Sequence, residues 1–130
     1  MEDNQSILRA DDIRDFVITD TTFNQANNFA AAHLNVRSLN TGFDELCWYI
    51  DFYQFDILGL SETWLSPVYE NHIFEVPGYN FVRRDREGRG GGVGMYIKKT
   101  IQYSIVTFNQ AYSPDFEYIA IKFMVDKKTF

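Results

Sequence analysis

Apolar and polar positions change rhythm several times along the chain. Residues 1–28 hold no sustained apolar pattern, and "FNQANN" is turn-like, so this stretch reads as an acidic, loosely ordered lead-in. From 29 to 36, "FAAAHLNV" is apolar and predicts a buried strand, although its alanines would also suit a helix. "RSLNTG" breaks the run. Thr41 then stands three residues before Asp44, a spacing that suits a capping box. Phe43, Leu46, Cys47, Ile50 and Tyr53 follow at helical spacing and predict an amphipathic helix over 42–54, with Cys47 on its core side. Asp56 to Leu60 is a short apolar run without alternation, as expected of a strand covered on both faces. Strand, helix and strand in this order begin as a βαβ-type unit.

Beyond Pro67 the rhythm becomes that of hairpins. "VPGYNFVRRD" predicts a turn and a strand over Tyr79–Arg83. Val93, Met95 and Ile97 alternate with Gly94, Tyr96 and Lys98, and Ile119, Ile121, Phe123 and Val125 alternate with Tyr118, Ala120, Lys122 and Met124. "IQYSIVTF" lies between them. The second half should therefore be antiparallel, and the fold class α/β in the α+β sense, a mixed and largely antiparallel sheet with a flanking helix.

Composition narrows the picture. Hydrophobic residues make up 45% and aromatic residues 17%, too much for a disordered chain. A single cysteine leaves no disulfide framework and no four-cysteine zinc site, which suits a reducing compartment. The N-terminus lacks the basic start and apolar run of a signal peptide, and no apolar run is long enough to span a membrane. An intracellular protein of nucleus or cytoplasm is expected, with no membrane partner.

The net charge of −6 argues against a chain that grips nucleic acid with its whole surface. Its basic residues are nevertheless clustered. Arg83, Arg84, Arg86, Arg89, Lys98 and Lys99 supply half of the 12 lysines and arginines. By charge alone such a cluster reads as a solvated turn.

Within that cluster lies "REGRGGGVGMYI", Arg86 to Ile97. A phosphate-cradling Walker loop needs a lysine and a Ser or Thr after its last glycine, and Gly94 is followed by Met95. A dinucleotide fingerprint needs G-x-G-x-x-G leading into a helix, whereas this run leads into a strand. The glycines instead fit a tight hairpin approach at Gly90, Gly91 and Gly92, and a close-packed point at Gly94.

Three segments in order carry a resemblance: "AHLNVRSLN" at 32–40, "DILGLSETWL" at 56–65 and "GYNFVRRDREGRGGGVGMYI" at 78–97. Together they resemble the endonuclease/exonuclease/phosphatase superfamily. More narrowly, they are similar to the apurinic-type endonuclease of non-LTR retrotransposons of the LINE and jockey-like kind. The likeness covers roughly residues 29–125, within a domain taken as 29–130.

The resemblance implies roles for particular residues. Glu62, past the end of the second core strand, matches the family glutamate that binds catalytic Mg²⁺; by itself it reads as a solvated loop carboxylate, and the motif reverses that preference. A lone carboxylate there suits a hard cation that keeps several waters. Asn35 matches the asparagine that orients metal-site and phosphate groups. Arg37 stands where the wider family often has an aspartate and implies phosphate contact. Arg83, Arg84, Arg86 and Arg89 are expected on a DNA-facing rim. His33 reads as a core or sheet histidine, and neither it nor His72 matches the family's catalytic histidine.

The family domain is about twice this length. Its tyrosine, Asp-x-Asn pair, further aspartate and Ser-Asp-His string have no counterpart here. Tyr112-Ser113-Pro114 precedes the strand that the family's Tyr-x-Pro motif should follow. The resemblance therefore implies the N-terminal half of a four-layer α/β sandwich, carrying part of a Mg²⁺ site and little or no nuclease activity alone. DNA is the partner of the intact family. The uncovered sheet face would take the missing C-terminal half or a second copy in a homodimer. Two alternatives stand beside this one: a non-catalytic module binding nucleic acid or protein, and, less favoured by "LNVRSL" and "ETWL", a phosphatase of the same superfamily.

Overall fold

The computed structural model describes residues 15–19, 29–106 and 117–124. The fold is α+β, a mixed sheet flanked by one helix, with a second two-stranded sheet beside it. Along the chain come β1 (Asp15–Thr19), β2 (Ala31–Asn35), α1 (Leu39–Tyr53), β3 (Ile57–Ser61), a 3₁₀ turn (Asn71–Phe74), β4 (Tyr79–Arg84), β5 (Val93–Lys98), β6 (Tyr103–Val106) and β7 (Ala120–Phe123). The larger sheet runs β1-β2-β3-β5-β4. β2 and β3 pair in parallel across the helical connection, and every other described pairing is antiparallel. β1 falls within the stretch expected as a lead-in and pairs with β2, Asp15 opposite Asn35. Val125 and Tyr112 lie outside the described residues.

α1 begins three residues earlier than its periodicity suggests. Its N-cap is Ser38, whose Oγ accepts from the Thr41 amide at 3.2 Å while its own hydroxyl donates to Thr41 Oγ1. The expected Thr41 box is displaced because Ser38 has left the helical backbone, at φ 92°, and so offers its oxygen to the first turn. Such a cap contributes about 1 kcal/mol. Leu39, Leu46 and Ile50 are buried against the sheet, with Phe43, Cys47 and Tyr53 packed at the margin, as the spacing predicts. Burial of the Cys47 thiol, helped by the neighbouring Asp44 charge, pushes its pKa up and keeps it protonated.

The helix-covered face of the sheet is built from Ala32 and Leu34, Leu58 and Leu60, Tyr96, and Tyr79. On β5 the buried alternation belongs to Gly94 and Tyr96, with Ile97 also enclosed, and not to Val93 and Met95 as hydropathy suggests. Tyr96 can be interior because its hydroxyl donates to the Phe74 carbonyl at 2.7 Å. A phenol with its one polar atom satisfied buries a large apolar ring at little cost. Phe81 stacks on it at 4.5 Å, and Tyr79 donates from its hydroxyl to the Phe55 carbonyl. Asp56 ties strand ends together. Its Oδ2 accepts from the Ala30 amide at 2.8 Å and its Oδ1 lies 3.7 Å from Lys98 Nζ. No helix among the described residues is long and apolar enough to cross a membrane.

Candidate functional site

Parallel pairing sets β2 and β3 side by side with their carboxyl ends level, Asn35 opposite Ser61. The two loops that leave those ends stay in contact. Val36 donates from its amide to Ser61 O, Ser38 to Glu62 O and Leu39 to Thr63 O, at 2.9 to 3.0 Å. Asn35 and Glu62 are thus brought to one end of the sheet by ladder register, although 27 positions separate them in sequence. A crevice outside the carboxyl ends of parallel strands is where open α/β sheets place their ligands.

The backbone there is strained. Five described non-glycine residues have positive φ, and four of them lie in these two loops: Arg37 at 43°, Ser38 at 92°, Glu62 at 57° and Trp64 at 57°. Each costs on the order of 1–3 kcal/mol, and such strain persists where surrounding contacts enforce it, commonly at sites of function. Asn35 adds a second cost, because its Oδ1 is buried without a hydrogen-bond partner.

The glycine run supplies the third wall. Gly90, Gly91 and Gly92 all have positive φ; the first two lie against Arg86, with Trp64 also beside Gly90, and Gly92 lies against Thr63. A Cβ on Gly91 would fall 2.3 Å from the Arg86 guanidinium, and one on Gly92 would fall 2.5 Å from Thr63 Oγ1. Thr63 and Trp64 donate from their amides to Gly92 O and Gly91 O at 3.2 and 2.8 Å. The run lies in the β4–β5 hairpin connection, as expected, and it also presents a bare backbone surface that clamps the 62–64 loop. Thr63 is fully buried, while Glu62 on one side and Trp64 on the other reach toward solvent.

Glu117 closes the turn from outside. Its Oε1 accepts from Gly92 N at 3.1 Å and its Oε2 from Arg86 Nε at 3.0 Å. The Arg86 hydrogen bond, then the Gly92 amide, hold its carboxyl below the ordinary glutamate range.

The expected arginine rim divides. Arg83 is turned inward, where it donates to Asn71 Oδ1, Ser66 O and Asp85 Oδ2 at 3.0 to 3.1 Å, with its side chain only 13% exposed. Arg86 is held by Glu117. Arg84 is exposed and its guanidinium lies 5.2 Å from the Tyr118 ring centre. Arg37 and Arg89 are exposed at the loop after β2 and at the head of the glycine run. The arginine spacing could not distinguish these fates, because burial of Arg83 depends on Asn71 and Ser66, distant in sequence. His33 is a sheet residue but an exposed one, and His72 sits outside the site with its Nδ1 3.2 Å from Glu70 Oε1.

Thr63 and Trp64 escaped the sequence reading. Their signal was the alternation within Glu-Thr-Trp, a small β-branched residue between two larger ones, together with a glycine triplet downstream that could accept it.

The donors at the strand ends are oxygens: one carboxylate at Glu62 and an unsatisfied amide oxygen at Asn35. This set fits a hard cation that keeps most of its water and takes phosphate oxygens as further ligands. Among the described residues no three of His, Cys, Asp or Glu come together to hold a metal on their own.

Residues 22–130 match the model of the Endonuclease/Exonuclease/phosphatase family. A search of curated proteins gives no match.

Proposed function

Because the chain belongs to the endonuclease/exonuclease/phosphatase family, whose members generally use a divalent metal, we propose that it carries the N-terminal portion of a Mg²⁺-dependent, DNA-nicking endonuclease of the non-LTR retrotransposon kind. The intact reaction is phosphodiester hydrolysis that leaves a 3′-hydroxyl for reverse transcription. The observation that carries the reading is the placement of Glu62, one residue past Ser61, at the same level strand ends as Asn35, whose Oδ1 is orphaned. In this role Glu62 holds the cation, and Asn35 orients the scissile phosphate or the cation's water ligands by hydrogen bonding. When bound, the metal supplies charge neutralisation at the phosphate. Exposed Arg37, Arg84 and Arg89 contact the DNA backbone, which fixes position without reading sequence.

A second reading is favoured by the lone carboxylate, since no acidic cluster accompanies it among the described residues. On that reading the chain is a non-catalytic module that binds nucleic acid through the arginines.

Supercoiled plasmid separates the two. Incubated with the purified chain and Mg²⁺, it should be bound more tightly than in EDTA, and Glu62→Ala should remove that difference. Nicking by the 130 residues alone should be weak or absent. Binding that falls steeply with salt yet ignores metal and Glu62 supports the module instead. Turnover of a phosphorylated sugar or lipid without plasmid binding would reject both.

A further inference from the structure

Trp64 sits in a conformation that a bulky residue seldom adopts. Its φ of 57° is an outlier for a side chain of this size, and 46% of the residue is exposed. Burial therefore does not explain why an indole is held there. Trp48, the other tryptophan, lies parallel to Phe52 at 5.3 Å. The Trp64 indole instead lies along the glycine turn, its Nε1 4.0 Å from the point a Gly90 Cβ would occupy. Its backbone is fixed by the 2.8 Å bond to Gly91 O, and buried Thr63 anchors it from the other side. The result is a rigid aromatic plane two residues from Glu62.

The loops that adjoin Glu62 and Trp64 each carry an exposed arginine. Exposed Arg37 precedes Ser38, whose amide binds the Glu62 carbonyl, and exposed Arg89 precedes Gly90. An aromatic face, a cation-binding carboxylate and two guanidinium groups suit a ligand that is anionic and has π-faces of its own. A phosphorylated sugar or a lipid headgroup offers the anion but no ring to stack. A polynucleotide offers both.

We propose that Trp64 is a stacking platform for an unpaired base of the nucleic-acid strand whose phosphate reaches the Glu62 end of the sheet; this rests on the nuclease reading above and adds a base contact to it. Base–aromatic stacking of this kind tolerates any base. Trp64 is accordingly an affinity and positioning residue, with no part in proton transfer.

The test uses the full chain with Trp48→Phe, which leaves Trp64 as the sole fluorophore of its kind. A fluorescein-labelled single-stranded oligonucleotide reports binding by anisotropy, and an unlabelled copy reports Trp64 emission. An abasic oligonucleotide of equal length and charge serves as the comparison. The base-bearing strand should quench Trp64, and the abasic strand should bind with little quenching. Trp64→Ala should weaken binding of the base-bearing strand about tenfold and of the abasic strand hardly at all, while Trp64→Phe keeps most of the affinity. Circular dichroism of each variant confirms that it is folded. Anisotropy that rises while Trp64 emission stays constant, or Trp64→Ala binding like its parent, overturns the platform and leaves the nuclease reading in place. No anisotropy change with either strand also overturns the platform, and only a loss of plasmid binding as well overturns the nuclease reading.

Discussion

Gly92 lies so close to Thr63 that a Cβ placed on it would sit 2.5 Å from the threonine Oγ1. Gly92 also holds a φ of 90°, which disfavours any other residue. Gly92→Ala should therefore cost about 2 kcal/mol or more, from backbone strain and overpacking together. The double variant with Thr63→Ala removes the steric part and keeps the strain, so it should recover roughly 1 kcal/mol of the loss. Urea midpoints of the four members of the cycle measure this; a Gly92→Ala protein as stable as its parent would show the contact to be soft.

Arg86 and Glu117 join the same turn to the segment leading into β7. Folding lowers the Glu117 pKa, through Arg86 first. A depressed carboxyl contributes stability that is whole above the unfolded value of about 4.3 and is lost as pH falls through the lower folded value. Arg86 is half exposed, so the pair is worth no more than about 1 kcal/mol. Glu117→Gln should be less stable than the parent at neutral pH, and the gap should close below pH about 4. A gap that persists at acid pH would trace the loss to packing instead.

At the alkaline end burial raises Tyr96 furthest, and it acts together with a second phenol, Tyr79. Burial, then the nearby Asp56 charge, pushes its pKa up to about 12. The folded state keeps this proton, so the contribution is intact below the unfolded value of about 10 and disappears as pH rises through about 12. Up to about 3 kcal/mol is at stake. Tyr79→Phe loses the hydrogen bond to Phe55 O and begins less stable, but its thermal midpoint should decline less steeply between pH about 10 and about 12.

Glu62 sits at φ 57°, a conformation glycine adopts freely. Glu62→Gly should raise stability by about 1 kcal/mol while Glu62→Ala should not. Both should lose Mg²⁺-enhanced DNA binding. A glycine variant no more stable than the alanine variant would mean that the strain is relieved by local contacts.

Much of the framework was legible in the sequence because it rests on local periodicity. The α1 face of Leu46 and Ile50, the unalternating run of β3 and the hairpin strands all follow from spacing. The β5 face did not, because Tyr96 is buried through a bond to Phe74 O that hydropathy cannot register. The start of α1 moved for a similar reason: which hydroxyl caps a helix depends on where the backbone turns. At the candidate site, Glu62 and Asn35 were singled out through motif likeness, and the register of β2 and β3 sets both at one end of the sheet. The inward turn of Arg83 and the clamping of Thr63 were not, since each depends on partners that only the fold brings near.

β5 lies between β3 and β4, so the strand that completes the sheet beside Glu62 comes after β4 in the chain. The loop at 62–64 leaves synthesis well before the glycines that hold it. Until residues near Gly92 and Val93 emerge and pair with Thr63 and Ser61, the loop is held only from the Ser38 and Leu39 side, and Trp64 lacks the bond to Gly91 O that fixes its backbone. The site is therefore assembled late, by non-local pairing of the kind that folds slowly. Damage to the glycine turn will consequently register first as a nascent chain that matures slowly.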